Sequence, residues 1–160
     1  MCTALYLNTI MENKNIHQKL QGIQSSLKAP KGQTNTFGGY RYRSAEDILT
    51  AVKPLLAEWQ CSLVITDEMV EVGGRVYVKA TAVLSSTSEG DEYSVNVSAF
   101  AREAEVKKGM DDAQITGSAS SYARKYALNG LFAIDDTKDP DATNTHGKDK
   151  SQAVTAPTEF

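Results

Sequence analysis

Apolar positions recur along this chain with two different periods. Between Lys14 and Leu27, Ile16, Leu20, Ile23 and Leu27 stand four, three and four residues apart, which is one stripe of a helix. That stripe packs either on the rest of the domain or on a neighbouring subunit. Ala29 to Tyr42 is punctuated by Pro30, Gly32, Gly38 and Gly39 and reads as a loop, with Gly38-Gly39 as its hinge. Ser44, with Asp47 three residues on, marks the start of a second helix. Ile48, Val52, Leu55, Leu56 and Trp59 line one face of it. Pro54 is expected to kink this helix, because it lacks an N–H and its ring meets the carbonyl of Thr50.

The period then shifts from helical to two. "SLVITDEMVEV" runs to Gly73-Gly74, a hairpin-turn signal. In "RVYVKATAVL", Val76, Val78, Ala80, Ala82 and Leu84 share one side, and in "YSVNVSAF" Tyr93, Val95, Val97 and Ala99 do so. These segments predict a three-stranded antiparallel meander. "AQITGSASSYARKYALNGLF" follows as a long helix. At 100° per residue, Ile115, Ala119, Ala123, Tyr126 and Gly130 form its apolar side. Gln114, Ser118, Ser121, Lys125 and Asn129 oppose them, with Arg124 and Leu128 at the border. The fold class is therefore α+β: a β-β-β-α core with N-terminal helices. Residues 1–13 read as a flexible extension, 14–134 as the folded domain, and 135–160 as an acidic, mostly disordered tail.

Charge sharpens this division. The net charge is −3, and the six acids and three lysines after Ile134 account for all of it. A neutral body can still carry a basic face, so acidity overall does not exclude a nucleic-acid partner. At 41% hydrophobic and 23% charged residues, the chain has the composition of an ordinary soluble domain. No apolar run reaches membrane-span length, so no membrane partner is expected. The two cysteines form no CxxC, which points to a reducing compartment, and Cys61 is expected as a buried small hydrophobe. No Walker loop, dinucleotide fingerprint, HExxH or GxSxG occurs. The acidic run from Asp135 to Asp141 lacks the turn glycine and final glutamate of a calcium loop. A protein without a catalytic centre, cofactor or metal is the expectation.

Two basic and aromatic clusters remain. In "FGGYRYRS", arginines suit phosphates and tyrosine rings suit unpaired bases. An extended backbone would send Tyr40 and Tyr42 to one side and Arg41 and Arg43 to the other. The alternative is a capped loop with core tyrosines and arginines paired to acids such as Glu46. In "SSYARKY", Tyr122, Arg124 and Lys125 sit on or beside the polar helix face, with Lys107 and Lys108 upstream. A solvated helix face is the plainer account of that cluster.

"FGGYRYRSAEDILTAVKPLL", "GGRVYVKATAVL" and "KKGMDDAQITGSASSYARKYALNGLFAIDDTKDPDATN" resemble the ERF (essential recombination function) family, single-strand annealing proteins of bacteriophages and prophages. The resemblance runs from about Ile16 to Asn144. It implies a protein that coats single-stranded DNA and anneals complementary strands without ATP in phage recombination. It also implies assembly into homo-oligomeric rings or filaments in the bacterial cytoplasm, with DNA in a basic groove. A phage exonuclease or a host single-strand-binding protein is a further partner of that reading. The DNA-binding candidates are Arg41, Arg43, Arg124 and Lys125 for phosphates, Lys107 and Lys108 after them, and Tyr40, Tyr42 and Tyr122 for stacking or shaping the groove. Two other readings are an oligomeric structural or interaction protein and an RNA-binding sheet module using Tyr77, Tyr93 and Phe100.

Overall fold

A computed structural model describes residues 14–36, 39–88 and 93–135. The N-terminal extension, the acidic tail beyond Asp135, Phe37, Gly38 and part of the polar turn before Tyr93 lie outside the described residues. The fold is α+β, as the periodicities predict. Helix α1 (Ile16–Ser26) is followed by a short hairpin of β1 (Gln33–Asn35) and β2 (Tyr40–Tyr42). Helix α2 (Ala45–Glu58) leads into β3 (Cys61–Val72), β4 (Arg75–Ser86) and β5 (Ser94–Arg102), and α3 (Asp112–Leu131) closes the unit.

The meander is antiparallel in the order β3-β4-β5. Val72 pairs with Arg75 across Gly73-Gly74, whose φ values of 59° and 72° are those of a type I′ turn. Register puts Leu63, Leu84 and Val95 in one row and Ile65, Ala82 and Val97 in the next. These rows face the helices. Rows such as Thr66, Thr81 and Ser98 face outward, where Thr81 and Ser98 share a 2.8 Å hydrogen bond.

Helix α3 lies on β4 and β5. Its buried residues are Ile115, Ala119, Ala123, Ala127, Leu128 and Leu131. The expected apolar face was thus misplaced by part of a turn: Leu128 is fully buried and Tyr126 is 46% exposed. Two packing partners explain the difference. Alanines at four-residue spacing let the helix approach the sheet. Leu128 and Leu131 join the core shared with α1 and α2, and Gln24 of α1 donates to the Leu131 carbonyl at 2.9 Å.

The α1 stripe is buried within its own domain: Ile16 and Ile23 lie in the core, with Leu20 and Leu27 packed against it. Lys19 shares that stripe and is completely buried. Its Nζ donates to Ser86 Oγ at 2.6 Å and Ser88 Oγ at 2.7 Å, and Ser88 Oγ donates to Gln60 Oε1 at 2.8 Å. Gln60 holds φ at 50° just after α2, in the left-handed region that non-glycine residues rarely occupy. Its carbonyl accepts from the Thr87 N–H at 2.8 Å. Trp59 packs against Gly22 of α1, where a Cβ would lie 2.2 Å from the indole ring. Cys61 is buried, as expected, and its thiol donates to the Trp59 carbonyl at 3.4 Å. Helix α2 continues through Pro54 from Ala45 to Glu58.

Candidate nucleic-acid interface

The segment read as one loop folds back on itself. Gln33 pairs with Tyr42 and Asn35 with Tyr40. Gly39, at φ 66°, donates its N–H to the Asn35 carbonyl at 2.8 Å and closes the turn. The hairpin is anchored at its base by the start of α2. Ser44 Oγ accepts from the Asp47 N–H at 3.1 Å, and Asp47 Oδ2 accepts from the Ser44 N–H at 2.8 Å, a reciprocal cap. Gln33 Nε2 reaches Asp47 Oδ1 at 3.4 Å and ties β1 to the same carboxylate. The Ser44 N–H is the main cause holding the Asp47 carboxyl below its usual range. Burial opposes it, and the Ser44 hydroxyl and Gln33 amide assist.

Tyr40 and Tyr42 stand on one side of β2, their ring centroids 6.3 Å apart and edge-on. Across from them, α3 presents Tyr122 and Tyr126, one turn apart, with centroids separated by 6.1 Å. Lys125 Nζ lies 4.8 Å from the Tyr122 centroid and 5.0 Å from that of Tyr126, a double cation–π contact. The two walls enclose a groove of about 450 Å³. Its charged lining is Arg43 and Lys125 against one acid, Glu46. The four tyrosines are between 38% and 50% exposed.

The candidates divide by place. Tyr40, Tyr42, Arg43, Tyr122 and Lys125 meet in this groove. The two arginines of the loop do not share a side as the alternation predicted. Arg41 is exposed, across the strand from the tyrosines. Arg43 follows the end of β2, is only 8% exposed, and reaches the Asp135 carbonyl through Nη2 at 3.5 Å. Arg124 faces β3 instead of the groove. Its Nε donates to both Asp67 oxygens at 3.1 and 2.9 Å, and Ser120 Oγ donates to Asp67 Oδ2 at 2.6 Å. Burial pushes Asp67 upward, but the Arg124 and Ser120 hydrogen bonds and the Arg124 charge outweigh it, leaving the carboxyl below its usual range. Lys107 lines a neighbouring cavity, and Lys108 is exposed.

Tyr126 is the groove residue that sequence reasoning assigned to the core. Its spacing of four from Tyr122, the spacing that makes side chains neighbours on a helix, was the available signal. Among the described residues, no group of three or more His, Cys, Asp or Glu side chains is placed to hold a metal. No described helix is long and apolar enough to cross a membrane.

Comparison with known proteins agrees with the sequence blocks. The ERF superfamily profile matches residues 16–159. The chain is 54% identical over 141 residues to the essential recombination function protein of Salmonella phage P22. That match covers 88% of this chain and 65% of the relative's length. No solved structure matches it significantly.

Proposed function

The chain belongs to the ERF superfamily, and from that premise we propose that it binds single-stranded DNA and anneals complementary strands without ATP during phage recombination. One observation carries the reading: Tyr40, Tyr42 and Arg43 face Tyr122, Lys125 and Tyr126 across one groove. A groove of this kind suits single strands. Stacking on rings tolerates any base and contributes about 1–3 kcal/mol per base. Lys125 supplies a phosphate contact that fixes position without reading sequence. Annealing needs this backbone-directed mode, because base edges must stay free for the complementary strand.

Each groove holds few contacts, so many copies along one strand would raise avidity without new chemistry. Assembly of this chain with itself in the cytoplasm of a bacterial host, and its hand-over of strands from a phage exonuclease or host single-strand-binding protein, belong to the same proposal. The reaction would make no covalent bond and call for no catalytic centre.

The test is annealing of complementary oligonucleotides in ATP-free buffer. The protein accelerates duplex formation over a protein-free control, and Tyr42→Ala with Lys125→Ala slows it. No acceleration by the wild-type protein would overturn the reading.

A further inference from the structure

The groove does not end at the α3 tyrosines. Tyr122 and Tyr126 also line a second cavity, of about 410 Å³, on their far side. There the end of β5 and the loop after it contribute Phe100, Arg102 and Lys107. The lining of this cavity holds three aromatic rings and two cations, and no carboxylate. Phe100 is 51% exposed and shares the outward row of β5 with Ser98, so it borders this cavity at the free edge of the sheet. Ser118 and Ala119 form part of the floor, and their small side chains let a deoxyribose or base come close to the helix. The tyrosine pair is thus a ridge with a basic, aromatic hollow on either side.

The charge then changes sign. A third cavity, of about 350 Å³, shares Arg102 and Ile115 with the second. It adds Arg75 but also Glu103, Glu105 and Asp112. Three carboxylates against two guanidinium groups disfavour a phosphate there.

We propose that a bound single strand crosses the Tyr122–Tyr126 ridge, seats a nucleotide in the Phe100–Arg102–Lys107 cavity, and stops where Glu103, Glu105 and Asp112 begin. This rests on the single-strand reading above and extends it to Phe100 and Arg102, joining them to the phosphate candidate Lys107. Phe100 is the stacking platform of the second hollow, and Arg102 and Lys107 hold its phosphates.

The experiment is fluorescence titration of the full chain with labelled oligothymidylate across a salt series. Arg102→Gln and Lys107→Gln each lower the log–log salt slope by about 0.7. Phe100→Ala weakens binding about tenfold, the scale of one lost stacking contact. Glu105→Lys moves the boundary outward and tightens binding with a steeper slope. Circular dichroism checks that each variant is folded. Should Phe100→Ala fail to fold, the Lys107→Gln arm decides, since Lys107 is exposed in a loop. Wild-type affinity and slope in Arg102→Gln and Lys107→Gln, with binding weakened in Lys125→Ala, would overturn the extension and leave the groove reading standing. An unchanged slope in Glu105→Lys would overturn the boundary. Failure of the wild-type protein to bind the oligonucleotide would overturn both.

Discussion

Two lysines, one on each of two helices, occupy opposite environments. Lys19 of α1 is completely enclosed, its ammonium held by Ser86 and Ser88 where α1 meets the end of β4. Lys125 of α3 lies between two half-exposed tyrosines at the wall of a groove. The first binds parts of the fold to one another: α1, β4 and, through Ser88, the left-handed Gln60 after α2. The second sits where an outside anion can reach it. Charge on a helix therefore says little about function until what it faces is known. Enclosed charge with fixed partners serves the fold, and charge beside half-exposed aromatic rings is where the proposed function places binding.

This contrast breaks most readily at Lys19. Lys19→Ala removes a buried stem and leaves the half-buried Ser86 and Ser88 hydroxyls without their donor, so urea unfolding should show a loss of about 3 kcal/mol. A loss near zero would mean that the site is dispensable and the contrast false. Gly22→Ala tests the same end of the molecule by crowding. With Trp59 2.2 Å from the new Cβ, either ring or helix must shift. The expected loss is about 1–3 kcal/mol, read by the same unfolding curve.

The smaller effect concerns pH. Asp67 and Asp47 both ionise below the usual carboxylate range. A depressed folded value means that their stabilisation is complete above the unfolded value of about 3.9 and is lost as pH falls through the lower folded values. Asp67→Asn should flatten that acid slope. At neutral pH it should cost no more than about 1 kcal/mol, because Arg124 is 44% exposed and the pair is screened. An acid slope identical to the wild type would remove Asp67 from the account.

How much of this was legible in the sequence follows from range. Local signals carried well: the Ser44 cap, the Gly73-Gly74 turn, and the alternation that buries Val78, Ala80, Ala82 and Leu84. What failed depends on partners distant in sequence. The β1 strand was hidden in a polar "QTN", because three residues carry no periodicity. Tyr126 was misassigned because α3 packs on the sheet and on α1 and α2 at once, and one hydrophobic stripe cannot describe two contacts. Lys19 went unnoticed because its acceptors, Ser86 and Ser88, belong to another element. Arg41, Arg43 and Arg124 looked equivalent as sequence, yet one is exposed, one is buried near Asp135, and one is held by Asp67. The meeting of the two aromatic clusters was likewise a property of the fold alone.

On the proposed function, Lys125 serves a ligand while Lys19 serves the fold. The direct measurement is the salt dependence of single-stranded DNA binding by Lys125→Ala, paired with its unfolding midpoint. The expected result is a log–log slope lower by about 0.7 per lost phosphate contact, with stability within about 0.5 kcal/mol of the wild type. An unchanged slope with a large loss of stability would contradict it, because Lys125 would then be a second Lys19.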